Sequence, residues 1–93
     1  VIDRKEVYRK ALVRWGKEGQ MIAAIEEFSE LTTILSKMLI GKMPLQSNQF
    51  LVDEIADIII MTEQLITMFD CSSEVNKRIN FKIKRLQERL DHE

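Results

Sequence analysis

Residues 20–39, Gln-Met-Ile-Ala-Ala-Ile-Glu-Glu-Phe-Ser-Glu-Leu-Thr-Thr-Ile-Leu-Ser-Lys-Met-Leu, read as a strongly apolar helix with three carboxylates, Glu26, Glu27 and Glu30, set in its middle. Helix stability gives no reason for negative charge at that place. Burying an unpaired carboxylate is costly, so a cluster of them on a core-forming helix calls for a partner that offsets the cost.

Outward from this helix the chain offers few turn signals. Three glycines and one proline in 93 residues leave little material for short strands and favour long helices. Asp3 followed by Glu6 resembles a capping box in which Asp replaces Ser or Thr. Val7/Tyr8, Ala11/Leu12 and Trp15 then recur at helical spacing, giving a first helix of about four turns. Gly16 and Gly19 flank Lys17-Glu18 and mark a break. The second helix runs from about residue 19 to 40, with Gly41 placed as its left-handed cap. Residues 41–47 form the central loop, where Pro44 keeps its predecessor out of a helix and Ser47 or Asn48 can cap the next one.

The third helix, from about 48 to 69, is apolar nearly all round: Phe50, Leu51, Val52, Ile55, Ile58, Ile59 and Ile60 leave almost no polar face. Such a helix is buried on more than one side, and a single chain of this size has too few other helices to cover it. A homo-oligomer, dimer or tetramer, is therefore expected. Ser72 or Ser73 caps a last helix over about 73–91, with Val75, Ile79, Ile83, Leu86 and Leu90 on one stripe. The expected fold is all-α: one domain over 1–93, with four helices, of which the two central ones build a bundle with copies from other subunits.

Composition excludes several classes of function. A hydrophobic share of 45% with 31% charged residues is an ordinary globular balance without a disorder signature. The net charge of −1 gives no global attraction to nucleic acid or to a membrane surface. The apolar run from Ile58 to Met61 is far too short to cross a bilayer. A lone cysteine, Cys71, rules out an intrachain disulfide framework, and the first twenty residues carry charges throughout rather than a signal-peptide core. The expected compartment is the cytoplasm.

The third helix repeats the acidic anomaly of the second, with Asp53, Glu54 and Asp57 among apolar neighbours. Glu27 and Glu30 are three apart, as are Glu54 and Asp57, and such residues sit on adjacent turns of one helix face. Two antiparallel helices bearing such pairs can direct four carboxylates at one point. Between residues 20 and 70 the only bases are Lys37 and Lys42, so pairing within these helices cannot neutralise the acids. A hard cation, Mg²⁺ or alternatively Mn²⁺, suits four oxygen donors and no soft ligand, and such sites commonly handle phosphates. A di-iron centre would need Glu-x-x-His on two helices, whereas the only histidine is His92 at the C-terminal end. A zinc site or a histidine-based triad fails on the same count.

Glu26-Glu27-x-x-Glu30, followed after a loop by Glu54-x-x-Asp57, resembles the signature of MazG-type all-α nucleotide pyrophosphohydrolases, relatives of the dimeric dUTPases and dCTP pyrophosphatases. The segments Arg-Trp-Gly-Lys-Glu-Gly-Gln (14–20) and Asn-Phe-Lys-Ile-Lys-Arg-Leu-Gln-Glu-Arg-Leu (80–90) are similar to small phage- and Firmicutes-type members, so the resemblance spans essentially the whole chain. It implies that Glu27, Glu30, Glu54 and Asp57 are catalytic residues that ligate Mg²⁺. The implied reaction is attack between the α- and β-phosphates of a nucleoside triphosphate, giving a monophosphate and pyrophosphate, in nucleotide-pool housecleaning. Glu26, about 100° round the helix, is open between a second-metal or water-orienting role and a salt bridge at the core edge.

Supporting residues carry two readings each. Lys37, seven residues after Glu30, could reach a phosphate or be a solvated helix-end lysine. Lys82 and Arg85 match basic positions of the family's last helix and could close over the phosphates, or belong to a solvated basic face. Trp15 could stack on a base or fill a core, and Gln20 could hydrogen-bond base or ribose or simply begin a helix. Two non-enzymatic readings compete. One is a nucleic-acid-binding module, since residues 74–90 hold six bases against two acids. The other is a structural homo-oligomer in which the acids pair with a neighbour's basic helix. The acidic centre and sparse aromatics argue against a nucleic-acid partner.

Overall fold

The computed structural model describes residues 1–93 and contains three helices and no strand: α1 (Arg4–Leu39), α2 (Gln49–Phe69) and α3 (Ser72–Asp91). All-α architecture is as expected. No helix is long and apolar enough to cross a membrane.

The helix count differs from the expected four, and Gly16 is the reason. Its backbone alone is non-helical (φ 75°, ψ 168°), a region open essentially only to glycine, while Lys17, Glu18 and Gly19 stay helical. One kinked residue therefore replaces the expected two-glycine break. The two expected N-terminal helices meet with no loop between them, and α1 bends rather than stops.

The ends of the helices follow their local chemistry. Asp3 accepts a hydrogen bond from the Lys5 backbone N–H at 3.1 Å and caps α1, whereas Glu6 reaches Arg9 at 3.5 Å instead of completing the box. At the other end Gly41, with φ 79°, lets the Lys42 N–H reach the Lys37 carbonyl at 2.9 Å and its own N–H reach Met38 at 3.3 Å. This is a Schellman cap, which satisfies carbonyls that the last turn would leave open. Asn48, not Ser47, caps α2, its Oδ1 accepting from the Leu51 N–H at 2.9 Å. Asp70 takes the left-handed conformation after α2 and the chain re-enters a helix at once. Ser72 is thus the first helical residue of α3, and Cys71 stands at its N-cap without a side-chain hydrogen bond, in place of the expected serine cap.

Packing is confined to α1 against α2. Tyr8, Ala11, Ala24, Met61 and Met68, with the polar Gln20, are the only buried residues. α3 buries none, approaches α2 only briefly and does not reach α1. α2, expected to be buried on more than one side, is covered only by α1 and leaves Phe50, Val52, Ile55, Ile59, Ile60 and Phe69 exposed. Six buried residues make a small core for a 93-residue chain.

Candidate metal centre

The loop over residues 40–48 returns the chain as an αα-hairpin, which sets the second segment of α1 beside the start of α2. Glu27 and Glu30 on α1 then meet Glu54 on α2, with one oxygen of each lying within 4.8 Å of the others. Opposite ligands around Mg²⁺ stand about 4.2 Å apart, so a small inward shift would bring the three oxygens to coordination distance. Asp57 lies outside this threesome, but its charge is felt at Glu27. Three of the four expected ligands are brought together, and the fourth is an electrostatic neighbour.

Glu27 and Glu54 are half-buried as residues, yet Oε2 of each is shut off from solvent and has no hydrogen-bond partner. Buried polar atoms are nearly always paired, so two orphans among three clustered carboxyl groups are unusual. The cost shows in the acidities. Burial is the first cause that pushes the Glu54 carboxyl up to about 7, followed by the close approach of the Glu30 carboxyl and the charges of Glu30 and Glu27. Glu27 is also raised, by burial first and then by the charges of Asp57 and Glu30. No base forms an ion pair with any of these acids: the ion pairs of the chain are Arg4–Glu63 and Arg9–Glu6. Carboxylate oxygens without a cation or a soft ligand fit a hard divalent cation of the Mg²⁺ or Mn²⁺ type.

The remaining candidates lie elsewhere. Glu26 is exposed and outside the cluster. Lys37, Lys82 and Arg85 are exposed, and Arg85 lies over the Phe81 ring at 5.8 Å, with Arg78 over the same ring at 4.7 Å. Trp15 is 64% exposed beside the kink, and so is no part of a core. Gln20, by contrast, is only 6% exposed, between buried Ala11 and Ala24 in the chain rather than on a helix-start surface.

One polar cluster is not announced by any spacing in the sequence. Tyr8 donates a hydrogen bond to Glu63 Oε1 at 2.6 Å, and Arg4 bonds Glu63 Oε2 at 3.1 Å. These groups border a cavity of about 740 Å³ that Arg9, Leu12, Ile66 and Asp70 also line. Partners 55 and 59 positions apart leave no local signature; the one available hint is that Glu63 is the lone charged residue between Ile58 and Phe69. No protein-family model, curated protein or solved structure matches the chain.

Proposed function

We propose that this chain is a Mg²⁺-dependent nucleoside triphosphate pyrophosphohydrolase of the MazG type, working as a homo-oligomer in nucleotide-pool housecleaning. The observation that carries the reading is the convergence of Glu27, Glu30 and Glu54 within 4.8 Å, with two oxygens buried and unpaired. Glu27, Glu30, Glu54 and Asp57 are the residues that would hold the ion. When bound, Mg²⁺ supplies charge neutralisation of the phosphates and a more acidic water. The chain's own part is to bring three carboxyl groups together with Asp57 nearby, and to keep a competing cationic side chain out of the cluster. Exposed Lys37, Lys82 and Arg85 are suited to phosphate oxygens, to which lysine and arginine offer charge-assisted hydrogen bonds. Trp15, 64% exposed, is suited to stacking on a base, whereas Gln20, only 6% exposed, is the less accessible of the two base or ribose candidates.

A second reading rests on a specific observation: none of the six bases of α3 has an ion-pair partner in the chain. A neighbouring copy's α3 could neutralise the acids, in a purely structural oligomer. Incubation with a panel of NTPs and dNTPs plus Mg²⁺, with monophosphate and pyrophosphate resolved by ion-exchange chromatography, decides between the two. The enzyme reading expects both products in equal amounts from at least one nucleotide. No turnover of any nucleotide by folded protein would overturn it.

A further inference from the structure

α3 is an arm without a socket. It is 20 residues long, buries nothing, and carries Ile79, Ile83, Leu86 and Leu90 on one stripe, each about half exposed. An isolated helix of that length is marginal in water and depends on packing of its apolar face. The chain as a whole shows the same deficit. Its surface is 7673 Å², whereas a compact monomer of 10.9 kDa exposes about 5,600 Å². Its radius of gyration is 16.4 Å, against about 12 Å for a compact domain of this length. The surplus, roughly 2,000 Å² per copy, is the area an obligate dimer buries.

Two surfaces complement the arm. Val52, Ile55 and Ile59 recur at helical spacing on the face of α2 away from buried Met61 and Met68, and all three are exposed. The charges match as well. α3 has a surplus of bases with no carboxylate partner, while Glu26 and Asp53, exposed and outside the metal cluster, have no cation. α3 does not reach α1 and meets α2 only briefly, so the arm leaves these surfaces of its own chain uncovered.

We propose that two copies of this chain pair by reciprocal exchange of α3, the Ile79–Ile83–Leu86–Leu90 stripe of each docking on the Val52–Ile55–Ile59 face of the other. The contact is isologous and closes as a two-fold dimer, so it leaves no open face for further growth. It specifies the association proposed above and does not depend on the hydrolase reading, because its readout is mass and not turnover.

The test is analytical ultracentrifugation of the full chain at about 1–100 µM. The wild type is expected to sediment at twice 10.9 kDa. Ile79→Glu with Ile83→Glu, and separately Ile55→Glu with Ile59→Glu, are each expected to give monomers that keep most of their helical circular dichroism. Leu86→Glu with Leu90→Glu serves as a second arm variant should the first misfold. The decisive step is to mix the arm variant with the face variant. One chain then offers an intact face and the other an intact arm, so a 1:1 complex is expected. A monomeric wild type, an oligomer indifferent to the arm variants, or a mixture that stays monomeric would each overturn the exchange.

Discussion

Glu27 and Glu54 face one another across the α1–α2 seam, and each keeps one carboxylate oxygen buried without a hydrogen-bond donor. The pair therefore opposes the packing that brings it together: like charges approach at a place where neither is fully solvated. Glu54→Gln removes one charge and keeps the shape. Metal-free Glu54→Gln is expected to melt no lower than the wild type, and to lack the rise in Tm that Mg²⁺ is expected to give the wild type. Hydrolysis should fall on the order of 100-fold or more, as loss of a ligand exceeds the loss of its supporting groups. Differential scanning fluorimetry with and without Mg²⁺ reads the stability part. A variant that melts well below the wild type without metal would show that the carboxylate is a structural partner.

The same cluster sets a pH dependence with a definite sign. Glu54 titrates near 7 in the folded chain against an ordinary 4.5, so the folded state binds more protons than the unfolded one between those values. Stability of the metal-free protein is expected to fall as pH rises through that window, because a raised carboxyl favours the folded state only while it is protonated. Glu27 is raised in the same direction and adds to the trend. Binding of Mg²⁺ should reverse it, since the ion requires the ionised carboxylates and releases their protons. Calorimetry in buffers of different ionisation enthalpy at about pH 6 should register proton release on Mg²⁺ binding, fading above about pH 8. Uptake of protons on binding would contradict the account.

Local chemistry explains why so much of this is legible in the chain. Asp3, Gly41, Pro44 and Asn48 each act within a few residues of themselves, and the boundaries they announce are found within a residue or two. The acid pairs are legible because both helices are long and unbroken where the pairs lie, so spacing alone fixes a common face. What the residues do not announce is tertiary or confined to one position. Two glycines signal a break equally well, but only Gly16 adopts a non-helical backbone, and Gly19 continues α1. The Tyr8–Glu63 bond depends on how the kinked segment lies over α2, which no periodicity encodes. The expected serine cap of α3 does not form because the helix begins at Ser72 itself, which leaves Cys71 at the cap position.

The contrast between the glycines is itself testable. A methyl group on Gly16 would meet nothing within 4 Å, so its cost is purely that of the backbone at φ 75°, about 1–3 kcal/mol. On Gly19 it would sit 3.6 Å from Trp15 Cβ, an ordinary contact, in a helical residue. Gly19→Ala is expected to stabilise by about 0.5–1 kcal/mol, as helical glycines do when replaced by alanine. Gly16→Ala is expected to destabilise. Urea unfolding of both gives the comparison, and a Gly16→Ala chain as stable as Gly19→Ala would mean that α1 straightens at no cost.

Tyr8 and Glu63 fasten that kinked segment to α2, and the chain's single tyrosine makes the bond directly observable. Burial first, and then the hydrogen bond and charge of Glu63, raise the Tyr8 hydroxyl above its ordinary 10.0. A raised tyrosine stabilises the fold while it is protonated, and that contribution is lost as pH climbs through the folded value. Absorbance at about 295 nm, which follows tyrosinate alone, should therefore give a midpoint above about 10. Glu63→Gln keeps an acceptor but removes the charge, and should bring the midpoint down towards the ordinary value. Tyr8→Phe leaves Glu63 with Arg4 only, an exposed pair of small worth, and should cost about 1 kcal/mol. A wild-type midpoint at or below the ordinary value would mean that the hydroxyl is solvated and the segment is not held, and Tyr8→Phe should then leave stability unchanged.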